Sequence, residues 1–341
     1  LQYITKEEIM SFQWPIGFER CPKEDWAETP LEELALKYDT VEEHGWYDNL
    51  DTTVELLIKN LNTGDIIIDY SGGTGILSQR LLNTANRDDF GILIVDSSPK
   101  FLRLALEKFH DNEQVSFRLI KYLRDEKRLQ LLDEVLTKEI IDYGIYMICS
   151  TNAIHLYNQL DETLTAWHRV LRPNGRIHIQ SGNIRNPSAG EDTWIIDETV
   201  EHIHRAAMKI VLEQPEWADY AMALEDEEYM KSHDVLRDKY FLPVRPIDTY
   251  LDALTSSGFQ IDKHMVKTIP AIVEEWYSFL SVYHEGVLGW VGGAERITGK
   301  KASEDVIEER KKLIRISMNR IFSEEDSFQA SWTYIEALKS V

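Results

Sequence analysis

The chain has 341 residues, of which 59 are acidic and 37 are basic, so its formal net charge is −22. An acidic surface repels nucleic acid and anionic membranes, and we therefore expect neither as a partner. Hydrophobic residues make up 43% and charged residues 28%, proportions that exclude a disordered or fibrous chain. The two cysteines, Cys21 and Cys149, exclude a disulfide scaffold and favour a reducing compartment.

The N-terminal segment lacks the features of a targeting signal. Its first ten residues are mixed polar and acidic, without the apolar stretch of a signal peptide. No run in the chain approaches the roughly 20 apolar residues needed to span a bilayer. We therefore expect a soluble, cytoplasmic protein, and the sequence leaves its oligomeric state open.

Short apolar runs alternate with amphipathic patterns over residues 51–183. Five runs predict strands, at residues 65–69, 91–96, 115–120, 143–149 and 176–180. Helices are predicted between them, at residues 52–61, 76–82, 101–109, 129–138 and 160–171. Continuous apolar strands joined by helices imply a parallel sheet covered on both faces. Right-handed crossovers then make the sheet doubly wound.

Beyond residue 183, two long helical stretches interrupt this alternation. Residues 184–245 and 272–326 predict helical insertions after strands five and six, and residues 246–271 continue the core. The segment 327–341 predicts a seventh strand, which we expect to run antiparallel. The sequence thus predicts one α/β domain with a Rossmann-like, doubly wound, seven-stranded and mostly parallel sheet. An N-terminal cap segment, residues 1–50, precedes the core at 51–183.

A glycine-rich turn and an acid follow the first two strands. Ser71-Gly72-Gly73-Thr74-Gly75 can turn tightly and let a ligand approach its backbone N–H groups. Asp96 ends the second strand, where a carboxylate can accept hydrogen bonds from ribose hydroxyls. Ligands of open α/β sheets bind at this carboxyl edge. The two features fit either a dinucleotide or S-adenosylmethionine.

Two details distinguish these ligands. Aligned on Gly73 and Gly75, the third position of the G-x-G-x-x-G dinucleotide fingerprint is Ser78, so the fingerprint is incomplete. Asp69 also ends the first strand, where its carboxylate suits a cationic amino-acid ligand and would repel a pyrophosphate. Both details favour S-adenosylmethionine.

With these motifs, the chain resembles the class I S-adenosylmethionine-dependent methyltransferases. The matching segments, in chain order, are residues 66–75 (IIIDYSGGTG), 94–96 (IVD), 149–155 (CSTNAIH) and 169–176 (RVLRPNGR). The resemblance covers residues 40–184 and resumes more weakly at 258–259 and 332–334. It implies S-adenosylmethionine as cofactor and S-adenosylhomocysteine as product.

The resemblance also implies roles by position. The methionine part of the cofactor would be held by the first loop, which comprises Asp69, Ser71, Gly72, Gly73, Thr74 and Gly75. The remaining cofactor contacts would come from Asp96 and Ser97 at the ribose, Lys121 and Tyr122 at the adenine, and Ser150 and Thr151 at the sulfonium. Two positions depart from the family pattern, because Ser71 replaces a glycine and Lys121 replaces an acid. A backbone N–H or Tyr122 would then have to recognise adenine.

The candidate base is His155, just beyond strand four, because a histidine pKa near neutrality suits proton removal from a methyl acceptor. The alternative is that His155 only caps or packs against the following segment. His178 lies between two isoleucines on strand five and is interpreted as a core residue. His202 and His204 are two residues apart on a helix and do not share a face, so we expect no metal site.

The two insertions are predicted to enclose the acceptor, because small-ligand pockets are mostly apolar. They contain the aromatic residues Trp194, Trp217, Tyr220, Tyr229, Tyr240, Phe241, Trp276, Tyr277, Phe279, Tyr283 and Trp290. Gly286, Gly289, Gly292 and Gly293 punctuate the second insertion and could hinge a lid. We predict methyl transfer to an oxygen or nitrogen of a small, partly hydrophobic metabolite, as in secondary metabolism. The alternatives are an NAD-dependent oxidoreductase on the same fold and a non-catalytic binding protein.

Overall fold

The computed structural model describes residues 11–32, 35–36, 39 and 48–340. Seven strands in this part of the chain form the main sheet: β1 Ile66–Tyr70, β2 Gly91–Asp96, β3 Val115–Leu119, β4 Ile145–Thr151, β5 Leu171–Ser181, β6 Phe259–Ile272 and β7 Ser327–Lys339. Their order across the sheet is β6-β7-β5-β4-β1-β2-β3. β7 runs antiparallel to both of its neighbours, and the other pairs are parallel. The predicted doubly wound α/β fold is confirmed.

Helices cover the sheet and build the segments that follow it. The longer ones are α1 Asn49–Asn60, α2 Ile76–Ala85, α3 Pro99–Phe109, α4 Leu160–Val170, α5 Glu198–Glu213, α6 Glu227–Tyr240, α7 Ile247–Ser256, α8 Val273–Val282 and α9 Glu304–Ile321. Shorter helical segments are Asp25–Glu28, Leu132–Val135, Lys138–Tyr143, Ile154–Leu156, Pro215–Trp217, Ala218–Ala221, Met222–Glu225, His284–Leu288 and Glu295–Thr298. Small ladders pair Tyr122–Leu123 with Arg128–Leu129 and Ile184–Arg185 with Arg245–Pro246.

The predicted helix at 129–138 differs from the structure. Two short helices, Leu132–Val135 and Lys138–Tyr143, occupy this region instead. Leu136 has an extended backbone between them, with φ −77° and ψ 139°, and its side chain is buried. The extended backbone at Leu136 therefore separates the two short helices. β5 is also longer than predicted, since it runs from Leu171 to Ser181 rather than over residues 176–180. β7 lies within the predicted segment 327–341, and β6 pairs with it from Phe259 through to Ile272.

The apolar runs of the central strands reflect burial on both faces of the sheet. In β1, Ile67 packs in one core cluster, whereas Ile66 and Ile68 pack in the cluster on the other face. Successive side chains of a strand point to opposite faces, so a strand covered on both sides needs apolar residues throughout. This is the physical reason that the strand appears in the sequence as an uninterrupted apolar run.

The helical segments after β5 and β6 share the core of one sheet face. Trp276, Trp290 and Leu313 belong to the same buried cluster as Ile67 of β1. α9 packs against both α5 and α8, so the two predicted insertions contact each other. Their aromatic residues therefore come together above the carboxyl ends of the central strands, around a cavity described below.

The predicted N-terminal cap, residues 1–50, lies partly outside the described residues. Its described part packs against the sheet, where Ser116 Oγ donates to the carbonyl of Arg20 at 2.7 Å. Phe12 is buried in the core cluster that contains Ile66 and Ile68 of β1. None of the described helices has the length and apolar character to cross a membrane.

Candidate functional site

The loop after β1 turns sharply over the carboxyl of Asp69. Ser71 and Gly73 have positive φ angles of 59° and 56°. A Cβ on Gly72 would lie 2.7 Å from Asp69 Cγ, closer than real Cβ atoms approach a neighbour. Gly75, at φ 81°, then begins α2. Only a residue without a side chain fits at Gly72, and the loop backbone lies directly over the acid.

Asp69 is a buried carboxyl with one oxygen unsatisfied. Its Oδ2 accepts a hydrogen bond from Ser78 Oγ at 2.6 Å, whereas its Oδ1 is buried and has no partner among the described residues. Burial raises the pKa of Asp69 to about 6. Buried polar atoms in native proteins are normally paired, and burying an unpaired charge is costly. A cation bound above the loop would offset this cost.

Asp96 ties the glycine loop to the end of β2. Its Oδ2 accepts the Gly73 N–H at 2.8 Å and its Oδ1 accepts the Ser98 N–H at 2.7 Å. Burial raises the pKa of Asp96, and these two backbone hydrogen bonds act in the opposite direction. Each carboxylate oxygen still has lone-pair capacity for a hydroxyl donor. The neighbouring Ser97 is exposed.

The hydroxyl of Tyr157 connects the loops after β1 and β4. It lies 2.9 Å from Ser71 Oγ and 2.9 Å from Ser150 Oγ. The Tyr157 ring packs edge-on against Tyr70 and Trp167. Burial raises its pKa, so it acts as a neutral hydrogen-bonding group. The sequence analysis missed Tyr157, because nothing in its local pattern distinguishes it from a packed aromatic residue.

The two predicted adenine contacts lie on the outside of the β3 end of the sheet. Lys121 Nζ pairs with Glu24 at 2.9 Å, and its backbone N–H donates to Gln130 Oε1 at 3.0 Å. Tyr122 is 58% exposed in a short hairpin. The Lys121 side chain is therefore engaged by the N-terminal segment, and the adenine role of both residues stays a prediction.

The predicted base, His155, is held on both ring nitrogens. Its Nδ1 lies 3.2 Å from Ser181 Oγ and its Nε2 lies 3.3 Å from Asn183 Nδ2. Since Asn183 Oδ1 accepts the Asp197 N–H at 2.9 Å, the amide presents its N–H₂ to His155. His155 Nε2 is thus an acceptor, and Nδ1 carries the proton. Burial, with a smaller contribution from Arg245, lowers the pKa of His155 to about 4.

A cavity of about 210 Å³ lies beyond the end of β4, between the two helical segments. The polar side chains in its wall include Asn152, His155, Asn183 and Asp197. The rest of the wall is mostly aromatic and aliphatic, formed by Leu156, Ile196, Tyr240, Phe241, Trp276, Phe279, Tyr283 and Trp332. The rings of Trp276 and Phe279 are stacked, with centroids 5.1 Å apart. The cavity is shaped for a small and mainly apolar molecule.

Asp197 is the second residue that the sequence analysis missed. It precedes α5, where an aspartate ordinarily caps the helix. Its carboxyl nevertheless makes no capping hydrogen bond to α5, a helix that is described in full. Burial raises the pKa of Asp197 to about 7, against a smaller opposing effect of a hydrogen bond from Asn183.

Comparison with known proteins supports the family resemblance. No protein-family model matches the chain. Over 173 residues, the chain is 27% identical to the ubiquinone/menaquinone biosynthesis C-methyltransferase UbiE of Coxiella burnetii. The match spans 48% of this chain and 63% of that protein, which is a little less than two thirds of the relative. The resemblance to class I S-adenosylmethionine-dependent methyltransferases is confirmed.

Solved methyltransferase structures superimpose on much of the chain at low sequence identity. A protein of Bacillus halodurans described as a methyltransferase is 15% identical, and the match covers 85% of this chain and all of that one, with a TM-score of 0.47. Haemonchus contortus phosphoethanolamine N-methyltransferase 2, solved with phosphomonomethylethanolamine and S-adenosylhomocysteine, is 12% identical. That match covers 90% of this chain and 57% of the other, also with a TM-score of 0.47.

On the seven-stranded sheet, most of the predicted cofactor residues fall into two groups. One group surrounds the ends of β1, β2 and β4 and is joined by hydrogen bonds through Tyr157, Gly73 and Asp96. It contains Asp69, Ser71, Gly72, Gly73, Thr74, Gly75, Asp96 and Ser150, and Thr151 follows Ser150 at the end of β4. The other group, Lys121 and Tyr122, follows β3 at the edge of the sheet. The first group and the cavity adjoin at the segment 150–157.

Proposed function

We propose that this protein is an S-adenosylmethionine-dependent methyltransferase whose acceptor is a small molecule with a single aromatic ring. The observation that carries this proposal is the position of the aromatic cavity. Its residues Asn152 and His155 belong to the same segment that supplies Ser150 and Tyr157 to the glycine loop. A methyl acceptor in this cavity would therefore lie beside a cofactor bound over the loop.

The residues present fit S-adenosylmethionine. The unpartnered Asp69 Oδ1 places negative charge beneath the loop, where the cationic methionine end of the cofactor is expected. The bare backbone at Gly72 leaves the loop open to close approach, and Asp96 retains acceptor capacity for ribose hydroxyls. When bound, the cofactor supplies an electrophilic methyl group on sulfur. The chain itself binds and orients both reactants and excludes water.

The size and lining of the cavity limit the acceptor. An apolar cavity of roughly 150 Å³ holds benzene, so about 210 Å³ suits one substituted ring. The wall includes the stacked rings of Trp276 and Phe279, and aromatic rings pack favourably against each other. The Coxiella relative is named as a C-methyltransferase. For this chain, we propose methylation at an oxygen or a carbon of the ring system, whereas the sequence alone predicts an oxygen or a nitrogen.

The other two functional alternatives are disfavoured by specific features. A non-catalytic descendant would be expected to fill the space beside Ser150 and His155, whereas a cavity opens there. A dinucleotide enzyme would place pyrophosphate over the loop that covers Asp69, and the two negative charges would repel each other. The net charge of −22 and two free cysteines further favour a cytoplasmic protein that does not act on nucleic acid.

A labelled transfer assay tests this proposal. The protein is incubated with S-adenosylmethionine carrying a deuterated methyl group and with a panel of single-ring phenols, catechols and anilines. We expect S-adenosylhomocysteine to form only when a ring acceptor is present, and mass spectrometry to find the label on oxygen or ring carbon. Label on nitrogen alone would overturn the acceptor class. If no compound is methylated and S-adenosylhomocysteine does not bind, the protein is not an S-adenosylmethionine-dependent methyltransferase.

A further inference from the structure

We propose that Asp197 takes up the proton that a hydroxylated single-ring acceptor loses on methylation, and passes it to a second, charged cavity behind it. This inference rests on the proposed function, and it assigns both a catalytic residue and a substrate class. The acceptor class is a phenol or related hydroxylated ring, because its nucleophile carries a proton that a carboxylate can remove.

Asp197 is the acid in the wall of the aromatic cavity. Two neighbouring polar groups are already committed, since His155 has a partner on each ring nitrogen and Asn183 bonds both His155 and the Asp197 backbone. Asn152 Oδ1 is buried without a partner in the described residues, but a neutral amide is not basic enough to remove a proton. Asp197 occupies the N-cap position of α5, but its carboxyl makes no hydrogen bond to the first amides of the helix. All of these amides lie within the described residues. Apart from the hydrogen bond from Asn183, the Asp197 carboxyl therefore has acceptor capacity left for a molecule in the cavity.

His155 and Asn183 act as positioning residues for this carboxylate. Asn183 Oδ1 accepts the Asp197 N–H, and the Asn183 side chain also donates toward the Asp197 carboxyl. The neutral His155 fixes the orientation of the Asn183 amide from the other side at 3.3 Å. The histidine that the sequence suggests as a base thus supports the acid that takes this role.

A second cavity, of about 270 Å³, shares Asp197 and Phe241 with the aromatic one. Its wall combines apolar residues with the charged residues Arg185, Glu198, Glu201, Arg237 and Asp238. Arg185 pairs with Glu198, and Arg237 pairs with Glu201 at 2.9 Å, so most of these charges are compensated. Arg185 and Asp238 are exposed, and the second cavity therefore reaches the surface. Asp197 lies between an apolar binding space and a polar route to solvent.

The proposed step balances in atoms and charge. The acceptor O–H bond breaks, and its proton moves to a carboxylate oxygen of Asp197. The oxygen electron pair forms the new bond to the methyl carbon, while the C–S bond breaks and its electrons remain on sulfur. If a ring carbon is methylated instead, the hydrogen of that carbon returns to the oxygen. Asp197 then releases its proton through the second cavity and is ready for another cycle.

The acid–base properties of Asp197 suit this role. Burial raises its pKa to about 7, so it is ionised at mildly alkaline pH and still basic enough to take a proton. His155 and Tyr240 in the aromatic cavity wall stay neutral there, because the pKa of His155 is lowered to about 4 and the pKa of Tyr240 is raised by burial. Tyr283 is the remaining phenol in that wall.

The test compares binding of p-cresol and p-xylene, which differ only by a hydroxyl in place of a methyl group. We expect wild-type protein to bind p-cresol more tightly at pH 8, and Asp197→Asn to lower p-cresol affinity about tenfold, because a charge-assisted hydrogen bond becomes a neutral one. Affinity for p-xylene should stay within about twofold. Asp192→Asn, an exposed position in the preceding loop, makes the same charge change and should alter neither affinity.

A second measurement needs no variant. In wild-type protein, p-cresol affinity should rise between pH 6 and pH 8 as Asp197 ionises, while p-xylene affinity stays constant. The inference would be overturned if wild-type protein bound the two ligands equally. It would also be overturned if Asp197→Asn kept wild-type p-cresol affinity, or if Asp192→Asn lost as much p-cresol affinity as Asp197→Asn. Tighter binding of 4-methylbenzylamine than of p-cresol would overturn the hydroxyl class. Because these readings need no cofactor, a failure of the methyltransferase proposal would leave them interpretable.

Discussion

The hydroxyl of Tyr157 lies 2.9 Å from Ser71 Oγ, although 86 residues separate the two positions in the chain. The same hydroxyl contacts Ser150, so one phenol holds the glycine loop against the end of β4. Tyr157→Phe should keep the ring packing and lose only these hydrogen bonds. We expect S-adenosylhomocysteine affinity to fall several-fold, consistent with about 1 kcal/mol for a buried hydrogen bond. Calorimetry measures this effect.

Tyr143→Phe is the matched control for that prediction. It removes one tyrosine hydroxyl that donates to the Gly64 carbonyl at 2.7 Å, outside the candidate site. Its cofactor affinity should equal that of the wild type. If both variants bind S-adenosylhomocysteine equally well, Tyr157 does not organise the cofactor loop.

The contact between Gly72 and Asp69 gives a second prediction. An alanine at position 72 would place its Cβ 2.7 Å from Asp69 Cγ, so the loop or the acid must move. Overpacking of this kind costs about 1–3 kcal/mol, and we expect cofactor affinity to fall at least about tenfold. Gly190→Ala, in an exposed loop where the nearest atom would lie at 3.4 Å, is the control. Wild-type affinity in Gly72→Ala would show that the loop does not contact the cofactor.

Asp96 is predicted to hold the ribose. Asp96→Ala should weaken S-adenosylhomocysteine binding by at least about 1.4 kcal/mol, a tenfold loss, because it removes charge-assisted hydrogen bonds. It also frees the Gly73 and Ser98 N–H groups, so some loss of thermal stability is expected. Asp88→Ala, an exposed acid near the start of β2, should change neither property. Unchanged binding in Asp96→Ala would remove it from the cofactor site.

The buried Asp69 makes folding depend on pH. Its pKa is raised to about 6 in the folded protein from 3.8, so the unfolded chain loses this proton first as pH rises. The free energy of unfolding therefore decreases between about pH 4 and pH 6, by roughly 3 kcal/mol for two pKa units. Asp69→Asn should abolish this contribution and be more stable than the wild type at pH 8 but not at pH 4. Chemical denaturation at the two pH values measures the difference, and an equal effect at both would contradict it.

Local sequence patterns predict the central strands of the sheet and the glycine-loop part of the candidate site. β2 begins and ends at the predicted residues, because a strand buried on both faces is a continuous apolar run bounded by a glycine and an acid. The glycine loop and Asp96 are recognisable for a similar reason, since tight turns and strand ends restrict residue type. Each of these features depends on residues that are close together in the chain, so a short segment of sequence is enough to predict it.

The rest of the site depends on contacts between distant segments. Asp197 looks like an ordinary helix cap in the sequence, and only the fold shows that it lines a cavity and does not cap α5. Tyr157 gains its role from Ser71 in the glycine loop and Ser150 near the end of β4. His155 looks like a base until Asn183 and Ser181 occupy its nitrogens. No local sequence pattern predicts these contacts, because they depend on how distant segments of the chain pack together.

We infer that the loop over Asp69 and the acid Asp96 bind S-adenosylmethionine. The most direct measurement is a calorimetric titration of the protein with S-adenosylmethionine, S-adenosylhomocysteine and NAD in parallel. We predict micromolar binding of the first two, loss of that binding in Asp96→Ala, and no heat from NAD. Binding of NAD without either sulfur compound would contradict the account and make the protein an oxidoreductase candidate.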